Sequence, residues 1–162
     1  MKRVMAAFAL LLAACGSDAS GENAGGGFPA DTTCGLAITS DLGNITAQTS
    51  VACATLLAFD AGFETDYIAT EGELRRVDLA VDEVTRGETG NGFPATLTLT
   101  DAAQERWEAG CMANVSTHEL VSGNDYKIAG TGSCSAPATS QSSATNVTVG
   151  DFAFVTVVNW TQ

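Results

Sequence analysis

The chain has 162 residues, of which 45% are apolar and 16% are charged, and this composition excludes a disordered or collagen-like protein. Acidic residues number 19 against 7 basic ones, which gives a formal charge of −12. This charge opposes contact with a phosphate backbone, so we expect no nucleic-acid partner.

The first residues have the pattern of an export signal. Lys2 and Arg3 precede the apolar run 4–14, which would rise only about 16 Å as a helix, against roughly 30 Å for the hydrocarbon core of a bilayer. The run ends in Leu12-Ala13-Ala14-Cys15, which resembles the lipobox of bacterial lipoproteins. The resemblance implies that the signal peptide, residues 1–14, is removed and that Cys15 becomes the lipid-carrying N-terminus, with palmitate among its acyl chains.

The same resemblance predicts where the protein resides. Gly16-Ser17 lacks the aspartate that retains many such lipoproteins in the inner membrane, which favours the cell outer membrane. Cleavage leaves five basic residues against 19 acidic ones, a formal charge of −14. Because anionic lipids repel such a domain, its membrane attachment would depend on the acyl chains.

Two further segments follow Cys15. Residues 15–31 contain many glycine, serine and alanine residues without apolar periodicity, which predicts a lipidated N-terminus and a flexible tether. Residues 32–162 have the length of one domain that can bury its own core, and we expect a single β-rich domain there.

The pattern of this domain is mainly period two. Apolar residues at 77, 79 and 81, and again at 95, 97 and 99, alternate with acidic residues, alanine or threonine, as in half-buried strands. Residues 152–157 are apolar on both faces, which predicts a central strand. Turn residues at 90–92 and 122–125 separate the predicted strands. We therefore expect an antiparallel β-sandwich or small barrel.

At most one or two short helices are expected beside the strands. Residues 101–109 begin with a possible N-cap and carry Trp107, which favours two helical turns. Residues 51–58 are rich in alanine and leucine, so they are compatible with a helix as well as a strand. Residues 136–146 are mostly polar and predict a surface loop.

Four cysteines remain when Cys15 is assigned to lipid, and an even number in an exported chain predicts two disulfides. A two-residue turn at 43–44 would place Cys34 opposite Cys53. A four-residue loop at 121–124 would place Cys111 opposite Cys134, and it would also set Glu119 opposite Tyr126 and Thr117 opposite Ile128. Directly opposed strand residues are close enough for a disulfide, so we predict the pairs Cys34–Cys53 and Cys111–Cys134.

The sequence assigns no catalytic, cofactor-binding or metal-binding residue. The chain has one histidine, His118, which we expect to be exposed near the end of a strand. The cysteines lack the spacing of a zinc site, and no nucleophile, phosphate or calcium motif is present. A run of carboxylates predicts a solvated acidic face. Its members are Asp60, Glu64, Asp66, Glu71, Glu73, Asp78, Asp82, Glu83 and Glu88.

These observations favour a lipid-anchored extracytoplasmic module that binds an envelope protein or glycan, or has a structural role in the envelope, without catalysis. One alternative is a hydrolase of envelope glycan or peptidoglycan that uses two members of the acidic run; such an enzyme needs two carboxyls across a cleft with separated pKa values. A second alternative is a lipocalin-like carrier with an apolar ligand inside a barrel. Seven aromatic residues would be enough to line a binding groove if some of them faced outward, but we expect core packing to account for most of them. They are Phe59, Phe63, Tyr67, Phe93, Trp107, Tyr126 and Trp160.

Overall fold

The computed structural model describes residue 28 and residues 30–45, 51–59, 61–69 and 72–160. Within 51–59 only the side chains of Cys53 and Ala58 are described. The predicted signal peptide and Cys15 lie outside these residues. The strands of the described part are β1 Gly35–Ser40, β2 Val51–Phe59, β3 Gly62–Ala69, β4 Leu74–Asp82, β5 Gly90–Asp101, β6 Arg106–Ser122, β7 Asp125–Cys134, β8 Ala138–Ser140, β9 Asn146–Val147 and β10 Val149–Asn159.

All the strands belong to one antiparallel sheet curled into a half-barrel. Its order is β1-β10-β7-β6-β5-β4-β3-β2, and β8 and β9 form a small hairpin that pairs with the start of β6. The predicted mainly antiparallel β fold is therefore confirmed. Residues 136–146, expected as a loop, contain β8 and the first residue of β9.

The period-two pattern correctly identified the core face. In β4 and β5 the odd-numbered residues 77–81 and 95–99 are at most 5% exposed. Strand β10 lies between β1 and β7, and both of its faces are buried: Phe152 and Phe154 on one face, Ala153 and Val155 on the other, are each at most 1% exposed. The prediction of a central strand is confirmed.

Side chains of β3 and β10 meet across the interior of the half-barrel. The rings of Phe63 and Phe154 have centroids 6.1 Å apart. The buried hydroxyls of Thr65 and Thr156 form a hydrogen bond of 3.0 Å. The interior between these two strands is therefore filled by side chains and closed by a polar contact.

The helix expected over 101–109 is wrong. Residues 101–105 form a tight turn in which the backbone amide of Glu105 donates to Asp101 Oδ1 at 2.9 Å, and Gln104 adopts a φ of 67°. The capping residue is present, but it caps a turn that leads directly into β6 at Arg106. The ambiguous residues 51–58 lie in strand β2.

The glycine-rich residues 90–92 do not separate strands as predicted. They are the start of β5, and a register shift between Asn91 and Phe93 marks a bulge against β6. Gly92 has a φ of 79°, a conformation that glycine adopts without a steric penalty. The glycine-rich sequence at 90–92 therefore corresponds to a β-bulge within β5 and not to a turn between two strands.

The disulfide Cys34–Cys53 is confirmed, but the hairpin that predicted it is wrong. The turn after β1 pairs Ile45 with Ile38, which is not the register of the predicted hairpin, and β1 pairs with β10 while β2 pairs with β3. The disulfide instead connects the two edge strands of the curled sheet, where its Cα atoms lie 5.9 Å apart. It therefore holds together the open side of the half-barrel.

The disulfide Cys111–Cys134 is also confirmed, and it joins directly paired residues of β6 and β7. The connecting loop, however, has two residues, 123–124, and two bulges in β6 restore the register that a four-residue loop would give. The predicted partners of Glu119 and Thr117 are wrong for this reason. Glu119 pairs with Lys127, and Thr117 pairs with Ala129.

Candidate functional site

The outer face of β3–β6, opposite the core, carries a polar depression of about 580 Å³ that we call the outer basin. Its side chains come from the positions that alternate with the core residues of each strand. The residues that define it are Asp66 on β3, Arg76 and Asp78 on β4, Thr98 on β5 and Arg106 on β6. Every second residue of these four strands faces this side, and the antiparallel pairing of the strands makes the side chains neighbours.

Two carboxylates lie at the centre of the basin. Asp66 and Asp78 are directly opposed residues of β3 and β4, an arrangement that is unfavourable for like charges. Arg76 relieves the repulsion: its Nη2 lies 2.7 Å from Asp66 Oδ2, and its Nε donates to Asp78 Oδ1. Arg106 Nη2 approaches the other oxygen of Asp78 at 3.5 Å.

The two carboxylates differ in solvent exposure. The side chain of Asp66 is 9% exposed, and that of Asp78 is 23% exposed. Desolvation raises the pKa of Asp66, and the neighbouring Asp78 raises it further, while Arg76 acts in the opposite direction. Asp66 therefore retains its proton to a higher pH than an ordinary aspartate.

The basin offers polar groups in fixed positions. Thr98 is 8% exposed, whereas Arg76 and Arg106 keep 46% and 51% of their side chains accessible. The arginines are therefore within reach of a ligand while their ion pairs restrict their orientation. Hydroxyl, guanidinium and carboxylate groups together suit a ligand with many hydrogen-bonding groups.

The acidic run that the sequence singled out is divided by the fold. Asp66 and Asp78 meet in the basin, and Glu64 and Asp82 lie at its rim. Asp60 and Glu71 lie outside the described residues. A hairpin centred on Gly72 pairs Asp66 with Asp78, so the Glu71-Gly72 turn signal could have revealed this pair. Arg106 reaches Asp78 across β5, which requires the pairing of β4 with β5 as well as the turn before β6.

The expectation that core packing accounts for most of the aromatic residues is confirmed. Phe63, Tyr67, Trp107 and Trp160 are at most 4% exposed and pack in the core. Phe93 and Tyr126 are half-buried against it. The side chain of Phe59 is outside the described ones. The residues that line the outer basin carry no aromatic ring.

His118 is buried, so the expectation of an exposed residue is wrong. It is 7% exposed because the bulge between Val115 and Thr117 turns its side chain inward. The backbone amide of Gly87 donates to its Nε2 at 3.2 Å, which leaves the proton on Nδ1, 2.9 Å from the carbonyl oxygen of Glu88. A neutral His118 thus holds the loop between β4 and β5.

Acidification is expected to weaken this histidine contact and destabilise the fold. Desolvation lowers the pKa of His118 in the folded protein, so the unfolded chain takes up its proton first as pH falls. The contribution of His118 to stability is present above about pH 6.5 and is lost below it, with a slope of at most about 1.4 kcal/mol per pH unit. Urea unfolding between about pH 7.5 and 5 measures it. His118→Gln, which keeps an acceptor but does not titrate, should show a smaller slope; equal slopes would contradict the assignment.

Comparison with known proteins gives no indication of what this site binds. No family model, curated protein or solved structure matches the chain. Among the described residues, no group of three or more histidine, cysteine, aspartate or glutamate side chains is arranged to hold a metal ion. That part of the chain also contains no helix long and apolar enough to cross a bilayer.

Proposed function

We propose that the protein is a lipid-anchored extracytoplasmic module of the bacterial envelope that binds a glycan or a protein partner through the outer basin and does not act by catalysis. The observation that carries the proposal is the basin, in which two accessible arginines and two carboxylates are fixed beside threonine hydroxyls. The lipobox at Cys15 supports the anchor and favours the outer membrane. The two disulfides fit an oxidising compartment.

The basin is better suited to ligand binding than the interior of the half-barrel. The carrier hypothesis requires an open apolar interior, whereas Phe63 packs towards Phe154 and the hydroxyls of Thr65 and Thr156 are 3.0 Å apart. The basin is open to solvent, and its donors and acceptors are oriented before a ligand arrives. Such preorganisation reduces the loss of side-chain conformational entropy on binding.

Titration calorimetry with soluble peptidoglycan fragments, and separately with oligosaccharides from the cell surface, tests this proposal. Arg106→Gln removes one accessible guanidinium without introducing a charge, and we expect it to weaken binding by about tenfold to a hundredfold, the effect of one charged hydrogen bond. Asp151→Asn is the matched control, because Asp151 is exposed on β10 and lies outside the basin. If Arg106→Gln and the wild type bind a probe with equal affinity, the basin is not the binding site. If the wild type binds neither class of probe and no envelope protein, the proposed binding function is wrong.

One observation favours the hydrolase as a second candidate function. Desolvation and the neighbouring Asp78 raise the pKa of Asp66, and a general acid needs a pKa shifted in this direction. Arg76, however, contacts an oxygen of each carboxylate, and this favours a binding role. If the wild-type protein releases products from peptidoglycan and Asp66→Asn abolishes this release, the protein is a hydrolase. If the wild-type protein binds peptidoglycan without releasing products, the result supports the binding module.

A further inference from the structure

The hairpin at the end of β6 exposes two large apolar side chains. Leu120 and Val121 are 57% and 56% exposed. They lie beyond Val115, the last residue of β6 that pairs with β5, so this part of the strand extends past its neighbour. We call residues 119–125 the apolar hairpin.

The first described residues of the chain lie close to this hairpin. Lys127 Nζ donates to the carbonyl oxygen of Ala30, and Lys127 pairs with Glu119, the residue directly before Leu120. Phe28 packs beside Gly35 and is half-buried. The chain that leads from residue 28 towards Cys15 therefore starts next to the apolar hairpin.

The covalent distance to the lipid is short. Twelve residues lie between Cys15 and Phe28, and the thirteen steps from one Cα to the next span at most about 45 Å when fully extended. A glycine-rich coil of this length has a root-mean-square reach of about 20 Å. The end of the domain that carries the apolar hairpin is therefore the end held closest to the lipid.

Basic side chains accompany the acidic ones at this hairpin, although the predicted mature chain has a formal charge of −14. Glu119 lies directly opposite Lys127. Arg86 lies beside the hairpin, where its Nε donates to the hydroxyl of Tyr126 at 2.7 Å. Two of the five basic residues of the predicted mature chain therefore lie at this end of the domain, where they offset part of the repulsion from an anionic surface.

We infer that Leu120 and Val121 dock into the interfacial layer of the bilayer that holds the acyl chains. The inference rests on the lipid anchor of the proposed function. Two apolar side chains bind a bilayer weakly by themselves, but the anchor makes their contact intramolecular and so raises their effective concentration.

Docking would also orient the outer basin. Leu120 and Arg106 lie near opposite ends of β6, which places Arg106 about 45 Å along the strand from the hairpin. With the hairpin at the lipid, the arginine end of the basin faces away from the bilayer. A ligand in the surrounding compartment can then reach it.

The test uses the full acylated protein, purified from membranes and reconstituted into vesicles of phosphatidylcholine and phosphatidylethanolamine with brominated acyl chains. Val121→Trp adds a fluorophore at the hairpin. Ala102→Trp adds one at an exposed turn before β6, at the other end of the domain. We expect roughly twofold or greater quenching of the tryptophan introduced by Val121→Trp, relative to unbrominated vesicles, and almost none for Ala102→Trp.

The outcomes distinguish this inference from the proposed function. If the wild-type protein carries no acyl chains and does not float with vesicles, the proposed anchor is wrong. If it floats but Val121→Trp and Ala102→Trp are quenched equally, the hairpin does not dock. A blue shift of the Val121→Trp emission without bromine quenching, growing with protein density in the vesicles, would mean that a second copy covers the hairpin, and it would overturn the inference.

Discussion

Replacing both Cys34 and Cys53 by serine is expected to lower the free energy of unfolding by about 3 kcal/mol, because the unfolded chain regains the freedom of a loop of about 20 residues. The native state is affected as well. Strands β1 and β2 are the two ends of the sheet order, so the disulfide is their covalent connection across the open side of the half-barrel. Urea unfolding measures the loss of stability, and hydrogen exchange shows where the native state opens.

The other disulfide provides the matched control. Cys111 and Cys134 are separated by 23 residues and Cys34 and Cys53 by 19, so loop entropy predicts similar losses for both double variants. Cys111 and Cys134, however, belong to strands that are hydrogen-bonded along their length. Removing this second disulfide should accelerate amide exchange in β1 and β2 no more than in the other strands, while removing Cys34–Cys53 should accelerate it more in β1 and β2 than elsewhere. Equal exchange in both variants would contradict the role of Cys34–Cys53 in closing the sheet.

The sequence predicted the strands because their signal is local. A core residue at every second position, as at Val77, Leu79 and Val81, depends only on the pleat of one strand. The partner of a strand is not encoded in the same local pattern. Strand β1 pairs with β10, more than 100 residues away, and nothing near Cys34 indicates that contact. The correct disulfide pair therefore follows from a pairing of β1 with β2 that the strand order of the sheet does not contain.

In the candidate site, too, local contacts can be predicted from the sequence, whereas the effects of turns and bulges on strand structure are harder to predict. Asp66 and Asp78 are brought together by a local hairpin, which a turn signal at Gly72 can indicate. The sequence favours a helix at Arg106 because Asp101, which caps the turn at 101–105, is also a residue that caps helices. The expectation of an exposed His118 fails because a bulge after Val115 changes which residues face inward. One inserted residue moves every following side chain of the strand to the other face.

Strand β7 contains two glycines where aromatic rings of β10 lie on the sheet. Gly132 pairs with Phe152 and Gly130 with Phe154. A Cβ at Gly132 would lie 2.2 Å from Phe152 Cζ, and only ring atoms of Phe152 are among its three nearest neighbours. A Cβ at Gly130 would lie 2.2 Å from the backbone oxygen of Asn114 as well as 2.8 Å from Phe154 Cζ. A side chain at either glycine would therefore clash with a phenylalanine ring, and a side chain at Gly130 would also clash with the backbone oxygen of Asn114.

Alanine at these two positions is therefore expected to destabilise the fold for different reasons. Gly132→Ala should cost about 1–3 kcal/mol of unfolding free energy through overpacking, and Phe152→Leu should remove part of that cost, with a coupling energy of about 1 kcal/mol in a double-mutant cycle. Gly130→Ala should cost at least as much, and Phe154→Leu should not relieve it, because the carbonyl of Asn114 cannot move without breaking the pairing of β6 with β7.

Gly110→Ala is the control for the loss of glycine itself. Gly110 lies in β6, and a Cβ there would meet nothing within 4 Å, so its substitution should change stability by no more than about 0.5 kcal/mol. Urea unfolding of the three alanine variants and the two cycles measures these differences. A Gly130→Ala variant that Phe154→Leu restores would show that the ring, and not the neighbouring strand, excludes a side chain at residue 130. If Gly110→Ala were as destabilising as Gly132→Ala, the effect would lie in the glycine backbone, and the packing of β10 on β7 would not explain it.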